Sequence, residues 1–129
     1  LADRYHLWDD TSPVSFVVDG DIGRFTPHPQ DSQKAGVDSD RWLAGIVDNV
    51  VVAEFYRRDA TQPYPDGGLS AEVYTSTDYT ELELLSPLVP LAIGESLELT
   101  IEWELHPLPA TASTDEDRVI AALEWLQSR

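Results

Sequence analysis

The clearest pattern in the chain is the alternation of Leu97, Leu99, Ile101, Trp103 and Leu105 with Glu98, Thr100, Glu102 and Glu104. Successive side chains of a strand point to opposite faces, so this spacing predicts a half-buried strand over Leu97 to Leu105 with its apolar side in the core. Shorter β-branched and aromatic runs resemble it. Val14 to Val18 and Ile22 to Thr26 flank Asp19-Gly20-Asp21, and Arg41 to Val47 and Val50 to Tyr56 flank Asp48-Asn49. Both connections contain residues that tolerate positive φ, which predicts two hairpins. After the turn cluster Pro63 to Gly68, Leu69 to Thr75 and Tyr79 to Leu85 read as two further strands joined by Ser76-Thr77-Asp78. Pro27 to Asp40 shows no periodicity and reads as a long loop. Pro87 to Ser96, with two prolines and Gly94, reads as a connection that cannot continue a ladder.

The period changes near the C-terminus. Val119, Ile120, Leu123 and Leu126 recur at helical spacing, and Ser113 stands three residues before Glu116 as in a capping box. A helix is therefore expected within residues 113–127, starting near Thr114. Strands joined in sequence by short turns, closed by one helix, predict a mainly β protein: an antiparallel β-sandwich with one C-terminal α-helix. At 129 residues the chain falls in the range of one domain, so residues 1–129 are read as a single unit.

Composition narrows the partners. Twenty-four acidic residues against eight basic ones give a net charge of −16, which repels phosphate backbones and anionic membranes. The absence of cysteine excludes disulfides, thiolate zinc sites and a cysteine nucleophile. No apolar run approaches the roughly 20 residues of a membrane-spanning helix. Leu1 to Asp10 lacks the pattern of a signal peptide, which slightly favours the cytoplasm. A chain that opens on Leu1 rather than Met suggests a processed or truncated product.

Few residues offer chemistry. Glu81 and Glu83 share one face of a strand, where paired carboxylates can divide acid and base roles, although a solvated polar face is the commoner outcome. Glu98, Glu102 and Glu104 read as solvation. Asp38-Ser39-Asp40 and Asp115-Glu116-Asp117 do not match a calcium loop, and no metal is assigned. His6, His28 and His106 are scattered, without a hydrolase triad. Arg57 and Arg58 are adjacent, so one should face each side of a sheet. Trp42 and Trp103 are expected in the core. Trp8 and Tyr64, in loops, are the rings on which sugar C–H groups could stack.

A series of short motifs follows one order: Lys34-Ala35-Gly36-Val37, Arg41-Trp42-Leu43-Ala44, Tyr64-Pro65-Asp66-Gly67-Gly68, Ala71-Glu72-Val73-Tyr74-Thr75, Glu81-Leu82-Glu83 through Val89, and Gly94-Glu95-Ser96 with Glu102-Trp103. The series resembles the C-terminal half of an uncharacterised bacterial family classed with galactose mutarotase-like proteins, over roughly residues 34 to 105. The resemblance implies about half of a supersandwich, with a carbohydrate-sized cleft on one sheet. In aldose mutarotases a glutamate in a Leu-Glu-Thr segment is the general base and a histidine from the earlier half is the acid. Glu83 after Leu82 matches that glutamate, but Leu84 replaces the threonine and no histidine matches the acid.

By this resemblance Lys34, Arg57, Asp66, Glu72 and Glu83 should line the cleft, with Tyr64 as a contact ring. The expectation is a non-catalytic carbohydrate-binding or accessory domain that takes a neutral sugar and needs no cofactor. One alternative is an aldose 1-epimerase-like enzyme with Glu83 as base. The other is a structural or oligomerisation module, paired with a second copy or with a missing N-terminal portion.

Overall fold

The computed structural model describes residues 5–8 and 15–129. Val14, the first residue of one expected strand, lies outside the described residues, as do parts of the N-terminal segment read for a signal peptide. The described residues form, in chain order, β1 (Tyr5–Leu7), β2 (Phe16–Asp19), β3 (Ile22–Phe25), β4 (Gln33–Val37), β5 (Trp42–Val47), β6 (Val50–Phe55), β7 (Ala71–Thr75), β8 (Thr80–Leu84), β9 (Glu102–Pro107) and α1 (Asp115–Gln127). All strand pairs are antiparallel. A first sheet has the order β1-β4-β7-β8, a second is the β2-β3 hairpin, and a third has the order β5-β6-β9. The fold is mainly β with one C-terminal helix, as the hydrophobic pattern predicts.

The hairpins follow from their turns. Asp48 adopts φ +55°, and the two-residue connection sets Val47 opposite Val50. That register turns Trp42, Ala44 and Phe55 to the side of the third sheet that receives α1. There they surround a core of Val51, Ala53, Leu108, Ala122 and Leu126. The helix runs over Asp115–Gln127, but its cap is one residue later than the Ser113–Glu116 pair suggested. Thr114 is extended at φ −106° and ψ 163° and accepts from the Asp117 N–H, while the Asp117 carboxylate accepts from the Thr114 N–H.

Two expectations for strands are corrected. Pro27 to Asp40 is not all loop, because Gln33–Val37 forms β4 between β1 and β7. Its Gln-Lys-Ala-Gly run has little intrinsic strand preference, and ladders on both sides hold it extended. Conversely, of the alternating segment Leu97 to Leu105 only Glu102 to Leu105 is laddered, as part of β9. Its apolar side is bare: Trp103 and Leu105 are 64% and 69% exposed, so Trp103 is not in the core. The reason is register. Ala53 and Val51, on the face beneath α1, stand opposite Glu104 and His106. The helix therefore covers the polar side of β9, where His106 stacks on Trp125 at 4.5 Å and Glu104 pairs with Arg129.

The sheets meet on one side of the first sheet. Tyr5 packs on Phe16 with ring centroids 5.0 Å apart, bringing the β2-β3 hairpin onto β1. Gly45 of β5 faces Leu82 of β8. A buried network ties the third sheet to the start of β7: the Tyr56 hydroxyl donates to the Ser39 carbonyl at 2.6 Å and lies 2.9 Å from Ser70 Oγ. The opposite face of the first sheet is left for side chains from β1, β4, β7 and β8.

Candidate binding site on the outer face of the first sheet

Residues directly opposite in a ladder project from the same face. His6 stands opposite Gly36, Gly36 opposite Glu72, and Glu72 opposite Glu83, so one row crosses all four strands. Lys34 and Tyr74, two residues along their strands, share that face and are themselves opposite each other. Lys34 Nζ lies 2.5 Å from Glu72 Oε2 and 3.4 Å from Glu83 Oε2. It also sits 5.1 Å from the centre of the Trp8 ring, a cation–π contact.

Gly36 makes this packing possible. A Cβ there would stand 2.6 Å from Leu69 Cδ1 and 3.2 Å from two carbons of the Trp8 ring, so only hydrogen leaves room for the indole over the strand. The His6 ring meets Trp8 edge-on at 4.6 Å. On the far side of Lys34, Tyr74 and Tyr79 pack with centroids 6.0 Å apart, and Tyr79 is 53% exposed.

The electrostatics centre on Glu72, which is 3% exposed. Burial pushes its carboxyl above the ordinary glutamate range and outweighs the attraction of Lys34, with the nearby Asp66 carboxylate pushing the same way. Lys34 is held above the usual lysine value, chiefly by its hydrogen bond to Glu72. Asp66 lies on the Asp66-Gly67-Gly68 turn, where all three residues have positive φ. With Tyr5, His6, Asp38 and Leu69 that turn lines a cavity of about 250 Å³.

Lys34, Glu72 and Glu83 thus come together, with Asp66 beside Glu72. Two other expected residues do not join them. Arg57 is exposed, and it is Arg58 that turns inward to pair with Asp38 and to lie 4.7 Å over the Tyr64 ring. Tyr64 is only 6% exposed, and its hydroxyl accepts from the Asp59 N–H at 3.1 Å, so the ring packs rather than presenting a contact face. His6 and Tyr74 are the additions that sequence reasoning missed. Tyr74 follows Glu72 at the two-residue spacing of one strand face, a signal that was available. His6 lies on a three-residue strand that shows no periodicity of its own.

Among the described residues no group of three or more His, Cys, Asp or Glu is arranged to hold a metal ion, and no helix is long and apolar enough to cross a membrane. Comparison with known protein families, curated proteins and solved structures finds no match.

Proposed function

We propose that the chain is a non-catalytic sugar-binding β-domain, with the outer face of the first sheet around Lys34, Glu72 and Glu83 as its contact surface for a neutral polyol. The observation that carries this reading is the gathering of these three side chains, from three different strands, between Trp8 and the Tyr74–Tyr79 pair. Carboxylates accept from sugar hydroxyls, an ammonium donates to them, and flat rings pack on C–H faces. A neutral ligand also suits a surface with this acidic excess, because its binding involves no charge repulsion.

Titration of the ¹⁵N-labelled chain with a panel of neutral mono- and disaccharides tests the proposal. The expected result is shift changes at Lys34, Glu72, Glu83 and the Trp8 indole, insensitive to salt and abolished in Glu83→Gln. No change at these positions with any sugar would overturn it.

The placement of His6 favours a second reading, an aldose epimerase. His6 and Glu83 stand in one row across the sheet, three strand spacings or about 14 Å apart at the backbone, so the two side chains must lean toward each other over the sheet to meet one sugar. In this reading Glu83 takes the proton of the anomeric hydroxyl while His6 protonates the ring oxygen. The ring C–O bond breaks to the aldehyde, which recloses from its other face. Polarimetry should then show accelerated mutarotation that both Glu83→Gln and His6→Asn abolish; a rate equal to buffer alone sinks it.

A further inference from the structure

The bare side of β9 lies along a free sheet edge. Trp103 and Leu105 continue into Leu97 and Leu99, which are 41% and 36% exposed, and among the described residues β9 has a ladder partner only in β6. Soluble chains usually blunt such an edge with lysines, bulges or a covering element. β9 carries no lysine, and its proline stands at its last position.

Its backbone is set for pairing. The Leu108 N–H donates to the Asn49 carbonyl, so by alternation Glu102, Glu104 and His106 direct their backbone groups to β6. The N–H and C=O of Trp103 and Leu105 consequently point to the free edge.

We propose that this edge joins a second copy of the chain in an antiparallel two-fold pairing centred on Glu104, forming one continuous six-stranded sheet. In that register Trp103 exchanges both backbone hydrogen bonds with the partner's Leu105, and the symmetry axis repeats the exchange. The indole and the partner's Leu105 side chain then cover each other on the apolar face. On the other face Glu102 stands opposite the partner's His106. Glu104 meets its own symmetry mate, but each copy holds its Glu104 in an ion pair with Arg129.

Neighbouring registers are poorer. Centring on Leu105 sets Trp103 against the partner's Pro107, which has no N–H. Centring on Trp103 sets Glu102 against the partner's Glu104. A stable interface covers roughly 800 Å² on each partner, more than one short strand edge supplies, so the pairing requires neighbouring exposed apolar surface such as Leu97 and Leu99 to be covered too. The net charge of −16 on each copy opposes association, so the dimer should tighten as salt is added.

Sedimentation or light scattering of the chain at micromolar concentration should give twice the 14.4 kDa of one copy, more completely at higher salt. Leu105→Lys should return it to one copy with an unchanged circular dichroism spectrum, since that side chain is mostly exposed. A second measurement does not depend on affinity. The chain has no cysteine, and a Cα pair on such an axis is about 4.5 Å apart, within disulfide reach. Under mild oxidation Glu104→Cys should therefore form a covalent dimer much faster than the exposed control Thr77→Cys. A single-copy mass at all concentrations, a dimer indifferent to Leu105→Lys, or equal cross-linking of the two cysteine variants would each overturn the proposal.

Discussion

Lys34 Nζ sits 2.5 Å from Oε2 of Glu72, so the least exposed carboxylate of the outer face is held by an ammonium from the neighbouring strand. Removing one member leaves the other's desolvation uncompensated, whereas removing both does not. Lys34→Met should destabilise the fold by about 2 kcal/mol, below the ~3–5 kcal/mol of a fully buried pair because the lysine is partly exposed. Lys34→Met combined with Glu72→Leu should recover most of that loss. Urea unfolding of the three variants measures the cycle, and additive losses would contradict it.

Glu54 gives a prediction with a pH sign. It is 3% exposed on the central strand of the third sheet, and burial alone holds its carboxyl above the ordinary range. A raised folded-state pKa means that the native state binds the proton more tightly than the unfolded chain. Stability is therefore highest below the ordinary glutamate pKa and falls as pH rises through the raised one. Glu54→Gln should remove this dependence and raise stability at neutral pH, because the amide carries no charge for burial to desolvate. Unfolding midpoints at mildly acidic and neutral pH provide the check.

Gly36→Ala should displace Trp8 or Leu69, since its Cβ would come within 2.6 Å of Leu69 Cδ1. A cost of about 1–3 kcal/mol is typical of such overpacking. The informative readout is Trp8: its fluorescence and its indole N–H shift should both change. A spectrum identical to that of the parent chain would mean that the ring does not lie over β4.

Thr114→Ala should cost about 1 kcal/mol through loss of the helix cap. Asp117 is held below the ordinary aspartate range, first by its side-chain hydrogen bond with Thr114. The stability it contributes is present above the ordinary aspartate pKa and is lost as pH falls through the depressed value. The deficit of Thr114→Ala should accordingly shrink in acid, which thermal melts across that range will show.

Much of the fold is legible in local signals. The β5-β6 hairpin and the C-terminal helix are written in nearest-neighbour chemistry: Asp48 accepts positive φ, and the run from Thr114 to Leu126 combines a cap with helical periodicity. β4 is not legible, because its extended form comes from the strands on either side. The candidate site was half legible. Glu72 and Glu83 stand on segments that read as strands from their own residues, whereas the strand that carries Lys34, the choice between Arg57 and Arg58, the burial of Tyr64 and the arrival of His6 depend on how distant strands align.

By itself the sequence determined most of the strand and turn segments, the mainly β class, the acidic charge and the alternation of β9, since each depends on residues close along the chain. Tertiary structure alone decided which face of each strand is covered. Alternation says that β9 has an apolar side and a polar side, but not which one meets a neighbour. Ladder register with β6 placed Glu104 and His106 under the helix and left Trp103 and Leu105 in the open. The same long-range register assembled Lys34, Glu72 and Glu83 from strands far apart in the chain.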